Sequence, residues 1–167
     1  MDNIEKELEA GRAVILPTET VYGIFAKALD QEAVDYIYEL KRRPRDKALN
    51  LNVADEKTIR IYSKNRPSYL TKLIDSFLPG PLTIILQANE KVPDWIHSGL
   101  DTVGFRIPAH PKTLELIRKF GPLVGPSANL SGHASGTKYE AIVSEFDQVV
   151  PGLEDDDFLT GQHSTIL

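Results

Sequence analysis

The sequence of 167 residues contains no cysteine and only four histidines, at positions 97, 110, 133 and 163. Without cysteine the chain can form neither disulfides nor thiolate metal sites, and a cytoplasmic protein is the simplest expectation. The histidines lack the i,i+4 spacing of a helical zinc pair, so we expect no protein-bound metal. The chain also offers no obvious nucleophile–base pair. Catalysis by positioning and charge is therefore favoured over covalent catalysis.

Long apolar runs are scarce as well. No stretch approaches the roughly 18 consecutive apolar residues of a membrane-spanning helix, and the charged residues 2–9 do not resemble a signal peptide. A formal net charge of −5 argues against a protein that coats nucleic acid, although it leaves room for a local basic surface. The composition, 41% hydrophobic and 26% charged, is that of a globular protein. A single domain over residues 1–167 is expected.

Against this acidic background, residues 41–47 (KRRPRDK) place five basic side chains within seven positions. Pro44 prevents an unbroken helix through the run, which predicts a helix that ends near Arg42 and an extended turn after it. One interpretation is purely structural, since cations complement the negative end of a helix dipole. The other is a site for an anionic ligand, and the neighbouring motifs favour it.

Helical and strand patterns alternate along the chain. Helices are predicted at 2–10, 31–42, 55–62, 67–78 and 111–120, with strands at 13–16, 48–53, 102–108 and 123–124 and another after a Pro-Gly-Pro turn at 79–81. The inward residues of the third and fourth helices are predicted to be Ile59, Leu70, Leu73, Ile74 and Phe77. This order indicates a single α/β domain with a twisted, mixed parallel and antiparallel sheet flanked by helices.

Four polar stretches fall on loops or strand ends, at 18–23, 41–47, 102–106 and 125–138. They supply hydroxyls, the Glu19 carboxylate, cations and many backbone amides, a set suited to a polyphosphate and a small polar co-substrate. Thr18 and Thr20 could instead cap a helix. Arg106 stands between Phe105 and Ile107, where a half-buried guanidinium needs an anion or a carboxylate. Residues 132–138 lack the spacing of a Walker phosphate loop.

Five motifs in order resemble those of the YrdC family of threonylcarbamoyl-AMP synthases, which serve N6-threonylcarbamoyl modification of adenosine 37 in tRNA. They are PTETVYG at 17–23, KxRP at 41–44, PGPLT at 79–83, VxxRxP at 103–108 and PSANxSG at 126–132. The resemblance spans residues 11–166. It implies a YrdC-like fold with a concave basic cleft, and a nucleotidyltransferase that makes threonylcarbamoyl-AMP from L-threonine, bicarbonate and ATP with Mg²⁺, releasing pyrophosphate.

The resemblance also implies roles for individual residues. Lys41, Arg43 and Lys47 would face the ATP phosphates, and the planar guanidinium of Arg106 would hold a carboxylate of threonine or of its carbamate. The implied catalytic residues are Lys41, Arg43 and Arg106. The implied threonine contacts are Thr20, Arg106, Gly125 and Ser164. The implied nucleotide contacts are Arg43, Lys47, Thr102, Ser127, Asn129 and Ser135.

The sequence departs from the family pattern in places. Asn52 stands where many members have histidine, Leu78 replaces a frequent tryptophan, and longer members carry a further C-terminal domain. Two alternatives stay open. One is a non-catalytic module that binds tRNA or double-stranded RNA, and the other is a related enzyme acting on carbamoyl phosphate, as in hydrogenase-maturation proteins. The expected partners are downstream tRNA threonylcarbamoyl-transfer proteins, with no membrane association.

Overall fold

The computed structural model of the chain describes residues 2–44, 47–129, 137–146, 150–161 and 165–166. The helices are α1 (Asp2–Glu9), α2 (Gln31–Lys41), α3 (Glu56–Ile61), α4 (Leu70–Phe77), α5 (Asp94–His97), α6 (Pro111–Phe120) and α7 (Tyr139–Val143), with a 3₁₀ turn at Asp156–Phe158. The strands are β1 (Val14–Leu16), β2 (Gly23–Lys27), β3 (Leu51–Asn52), β4 (Ser63–Lys64), β5 (Leu82–Ala88), β6 (Thr102–Arg106), β7 (Leu123–Val124) and β8 (Thr165–Ile166).

These strands form one mixed sheet in the order β1-β2-β7-β3-β6-β5-β4, and β8 pairs with β5. The β3–β6 and β5–β8 pairs are parallel, and the other pairs are antiparallel. In the β3–β6 pair Asn52 lies opposite Arg106, at the carboxyl ends of both strands. The expected α/β fold with a mixed sheet flanked by helices is confirmed.

Strand β1 is buried on both of its faces. Its apolar run alternates between two layers of side chains, as the period of two in a strand requires. Val14 and Leu16 pack with Leu8 of α1 and Ile117 of α6, whereas Ile15 belongs to the larger core cluster that includes the buried residues of α2. Helices α1 and α6 thus pack with β1 through one face, and α2 belongs to the core built on the other.

Helix α2, whose C-terminal end carries the start of the basic run 41–47, has well-defined ends. The Asp30 side chain accepts hydrogen bonds from the backbone N–H groups of Glu32 and Ala33, as an N-cap does. At the other end Arg42 adopts a left-handed conformation with φ of 53°, and its N–H and that of Arg43 bond back to the last helical turn. The predicted end of this helix near Arg42 is confirmed.

Three local predictions are wrong. The turn after β1 leads into a strand, β2, and not into a helix capped by Thr18 or Thr20. Strand β3 is only two residues long, shorter than the predicted 48–53. Phe77, predicted to face inward, is 57% exposed at the last residue of α4, whereas the following Leu78 packs against the core.

Among the residues that the structure describes, no helix combines the length and apolar character needed to cross a bilayer.

Candidate functional site

A cavity of about 220 Å³ opens at the carboxyl ends of β1, β3 and β6. This is the edge at which open α/β sheets commonly bind ligands. Its wall is mostly polar and is formed by Thr18, Thr20, Val21, Tyr22, Gly23, Arg43, Ala48, Leu49, Asn50, Asn52, Thr83, Arg106, Gly125, Pro126 and Ser127. Of the residues assigned from sequence, the cavity brings together Thr20, Arg43, Arg106, Gly125 and Ser127.

The turn between β1 and β2 forms one wall and is held by its own hydroxyls. The Thr18 hydroxyl donates to the carbonyl of Val21 at 2.7 Å and accepts from the N–H of Thr20 at 3.1 Å. The hydroxyls of Thr18 and Thr20 also contact each other at 2.9 Å, and both side chains are almost fully buried. These bonds replace the helix cap that the sequence allowed, and they aim the Thr20 hydroxyl at Arg106.

Arg106 has a carboxylate partner within the protein. Its Nη2 donates to Glu19 Oε1 at 2.5 Å and to the Thr20 hydroxyl at 3.0 Å, and both charged side chains are only 13% exposed. The other carboxylate oxygen of Glu19 accepts the N–H of Ala109 at 3.0 Å. The carboxylate that a half-buried Arg106 was expected to need is therefore supplied within the protein by Glu19, and the expected contact of Arg106 with a carboxylate of threonine or of its carbamate stays a prediction.

Both arginines of the cavity nevertheless retain donor capacity. Arg43 Nη2 donates to the carbonyl of Ala48 at 2.9 Å. The Nε atoms of Arg43 and Arg106 are buried and have no hydrogen-bond partner among the residues that the structure describes. A buried guanidinium N–H without an acceptor costs free energy, so these two positions favour an incoming oxygen acceptor.

Lys41 departs most from its expected place. It does not line the cavity: it is 2% exposed, and its Nζ donates to the backbone carbonyls of Ser127 and of Asn129, the latter at 2.8 Å. Burial, and then the nearby charge of Arg43, lower the pKa of Lys41 to about 8, which leaves it mostly protonated at pH 7. Lys41 therefore fastens the 125–129 loop to α2, and its expected contact with the ATP phosphates stays a prediction.

Gly125 is required for packing. A Cβ built at this position would lie 2.4 Å from Cε1 of Phe25, a ring fully buried beneath the loop. Gly23 faces the same ring, where a Cβ would lie 2.6 Å from Cε2. Because a rigid aromatic ring cannot move aside, both glycines let the cavity floor close onto Phe25. The expected contact of Gly125 with threonine stays a prediction.

The remaining assigned residues lie elsewhere. Thr102 begins β6, about 13 Å from Arg106 at the rise of a strand, and does not line the cavity. The Lys47 side chain is exposed, and its backbone carbonyl accepts a bond from the Tyr38 hydroxyl. Asn129 is buried behind the wall, where its carbonyl binds Lys41. Ser135 and Ser164 fall outside the described residues.

Asn50, Asn52 and Thr83 line the cavity although sequence reasoning assigned them no role. Asn52 and Thr83 are 4% and 2% exposed. The pattern of residues 49–53 could have indicated the role of the asparagines. There they alternate with Leu49, Leu51 and Val53, all three of which are buried. In a sheet covered on both faces, the polar half of such an alternation points to a polar cavity.

Fold and cavity together define a mixed-sheet α/β protein with a polar cavity that is lined by two arginines. The family model Sua5/YciO/YrdC, described as telomere recombination, matches residues 6–167. The chain belongs to this family. A threonylcarbamoyl-AMP synthase of Pyrococcus abyssi is 42% identical over 140 residues, which cover 83% of this chain and 41% of the relative. One of Bacillus subtilis is 40% identical over 150 residues, covering 89% of this chain and 43% of the relative.

A solved structure agrees with the fold. The crystal structure of Pyrococcus abyssi Sua5 complexed with L-threonine matches with a TM-score of 0.91 at 38% identity, and the match covers 97% of this chain and 48% of that one. The chain thus spans less than half the length of these relatives.

The first testable prediction concerns the buried Lys41 ammonium. Lys41→Met keeps the apolar stem but leaves the carbonyls of Ser127 and Asn129 without this donor. Each orphaned carbonyl costs about 1–3 kcal/mol, and relief of the buried charge offsets part of that loss. We expect a net loss of about 1–3 kcal/mol in the free energy of unfolding, measured by urea denaturation. The exposed Lys72→Met control is expected to change it by less than about 0.5 kcal/mol. Equal stability of the two variants would contradict the role given to Lys41.

The second prediction follows from the pKa of Lys41. Because this pKa is about 8 in the folded protein and 10.5 ordinarily, the unfolded chain binds more protons between these values. Stability contributed by this site must therefore rise with pH from about 8 to about 10.5. Lys41→Met lacks that titration, so the difference in unfolding free energy between wild type and variant is expected to grow across the window. A difference that stays flat or shrinks in denaturation curves over this range would contradict the lowered pKa.

Proposed function

We propose that this chain is an L-threonylcarbamoyladenylate synthase, a nucleotidyltransferase that uses L-threonine, bicarbonate and ATP. The observation that supports it is the cavity at the strand ends, whose wall includes Arg43 and Arg106, each with a buried Nε–H that has no protein acceptor among the described residues. Such donors suit phosphate and carboxylate oxygens. Membership of a family whose similar members are named threonylcarbamoyl-AMP synthase supports this substrate choice.

The proposed reaction joins the threonine amine, bicarbonate carbon and ATP α-phosphoryl group, and releases pyrophosphate and water. The residues of the cavity supply charge and hydrogen bonds that position the substrates. The Thr18 and Thr20 hydroxyls are not assigned a nucleophilic role, because they are already engaged with one another and with neighbours. Arg43 is assigned to the phosphates. Arg106 is assigned to the carboxylate of threonine or of its carbamate, through the Nε side of a guanidinium whose Nη2 is held by Glu19 and Thr20.

Magnesium enters this proposal as part of the substrate, Mg-ATP. Within the described part of the chain no group of three histidine, aspartate or glutamate side chains is placed to hold a metal ion. The carboxylate near the cavity, that of Glu19, is engaged at both oxygens. Magnesium bound to nucleotide phosphates needs few protein ligands and keeps several waters, so the residues present suit this arrangement.

The product class suggests the partners. A threonylcarbamoyl adenylate is an activated acyl donor, and we assign its consumption to proteins that transfer the group to adenosine 37 of tRNA in the cytoplasm. Direct binding of tRNA or double-stranded RNA is a separate expectation. The burial of Lys41 removes one cation of the 41–47 run from any such surface.

The third prediction tests the reaction itself. Pyrophosphate release is expected to require ATP, Mg²⁺, threonine and bicarbonate together, because the amine and the bicarbonate must form the attacking carbamate. The measurement is a coupled pyrophosphate assay in which each component is omitted in turn, with serine in place of threonine as a matched control.

Undiminished pyrophosphate release without threonine would indicate a general nucleotidase and contradict the proposed synthase. A protein inert in every mixture that still binds structured RNA would favour the non-catalytic RNA-binding module.

The fourth prediction separates the ligand role of Arg106 from its structural one. Arg106→Lys keeps a charge for Glu19 but loses the planar fork and its Nε–H. We expect the KM for threonine to rise by about ten-fold or more, the range for a hydrogen bond to a charged group, while the KM for ATP changes by less than about three-fold.

Arg60→Lys is the matched control, because Arg60 pairs with Glu56 at 2.7 Å on the exposed face of α3. Its kinetic constants are expected to equal those of the wild type. Equal losses for threonine and ATP in Arg106→Lys, together with a lower melting temperature, would make the Glu19 pair purely structural and overturn the carboxylate assignment.

A further inference from the structure

The Tyr22 side chain connects the cavity wall to a distant part of the sequence. Its ring is fully buried and lines the cavity, and its hydroxyl donates to Asp156 Oδ1 at 2.7 Å. The same hydroxyl accepts the N–H of Asp155 at 2.7 Å. Asp156 Oδ1 also accepts the N–H of Tyr139 at 2.9 Å, and the Tyr22 and Tyr139 rings meet edge to face. These bonds, that of Tyr22 first, hold the pKa of Asp156 below its usual range.

His110 adds a second attachment for the same segment. Its Nδ1 accepts the N–H of Lys112 at the start of α6, so its Nε2 carries the proton and donates to Asp155 Oδ2 at 2.8 Å. The His110 ring also packs edge to face against Phe158. Residues 155–158 are thus fastened from two sides, by Tyr22 and by His110.

Just beyond this attachment, the segment contacts the residues that hold Arg106. The N–H of Thr160 donates to the carbonyl of Glu19 at 3.0 Å, and the N–H of Gly161 donates to the carbonyl of Thr20 at 2.8 Å. The side chains of Glu19 and Thr20 are the two partners of Arg106 Nη2. A path of hydrogen bonds and intervening backbone therefore runs from Asp156 through residues 160–161 and the Glu19–Thr20 turn to the Arg106 guanidinium.

We propose that Tyr22 and Asp156 are positioning residues for substrate binding: they hold residues 155–161 against the Glu19–Thr20 turn and so fix the orientation of Arg106. This role rests on the proposed function, because it assigns threonine to Arg106. The wall formed by Arg43 and the Lys41-bound loop has its own anchors, at Ala48, Ser127 and Asn129. Loss of the Tyr22 hydroxyl therefore affects threonine more than ATP.

The test begins with Tyr22→Phe, which keeps the ring and removes both hydroxyl bonds. We expect the KM for threonine to rise by about three- to ten-fold, the range for one or two lost hydrogen bonds, with kcat and the KM for ATP within about two-fold of wild type. Hydrogen exchange of the Thr160 and Gly161 amides, followed by NMR, is expected to accelerate. Exchange of the Ala88 amide, which donates to the backbone carbonyl of Asp101 at the edge of the β5–β6 pair, is expected to stay the same.

Variants at Asp156 keep the test valid if Tyr22→Phe does not fold. Asp156→Asn retains an oxygen that can accept from Tyr22 and is expected to behave as wild type, whereas Asp156→Ala is expected to reproduce Tyr22→Phe. Tyr36→Phe is the matched control, because Tyr36 likewise uses its hydroxyl, as the acceptor of a bond from Arg12 at 3.0 Å.

The possible outcomes separate the two claims. A wild-type protein whose pyrophosphate release ignores threonine overturns the proposed function and this role with it. A threonine-dependent wild type whose Tyr22→Phe variant keeps its threonine KM, or loses threonine and ATP affinity equally, overturns the positioning role alone. Unchanged exchange at Thr160 and Gly161 does the same.

Discussion

The Lys41 ammonium is the constraint from which the architecture of the site follows. A buried charge must find acceptors, and here the acceptors are two backbone carbonyls of the 125–129 loop. Satisfying that charge brings the end of α2 against the loop, and the loop in turn closes over Phe25 through Gly125. The adjacent Arg43 is then placed in the cavity wall by the same helix end. A cation outside the cavity thus determines where a cation of the cavity wall stands.

The opposite wall is built around the Glu19–Arg106 pair. Because Glu19 neutralises Arg106 at close range, this wall presents hydrogen-bond direction more than net charge. Within the described part of the chain Arg43 bonds instead to a neutral carbonyl, so its charge acts on the cavity with less compensation there. The two arginines therefore contribute differently to the cavity: Arg43 contributes mainly charge, and Arg106 contributes mainly directed hydrogen bonds.

Sequence patterns predicted the fold well because most helices and strands are indicated by local signals such as caps and apolar periodicity. The Asp30 cap, the end of α2 near Arg42 and the doubly buried β1 all follow from propensity and period. The site was predictable as a set of motifs but not as contacts. Nothing local indicates that Glu19 pairs with a residue 87 positions away, or that Lys41 turns inward to a loop 86 positions away. Such pairings depend on strand order, which single-sequence patterns do not determine.

The parallel pairing of β3 with β6 has a consequence for how the cavity tolerates change. Asn52 lies opposite Arg106 and lines the cavity, whereas its neighbours Leu51 and Val53 belong to the core. A register slip by one residue would send Val53 into the polar pocket and drive an amide into the hydrocarbon interior. Since β3 has only two paired residues, few hydrogen bonds oppose that slip. An insertion or deletion between α2 and β3 should therefore disrupt the cavity while leaving much of the sheet intact.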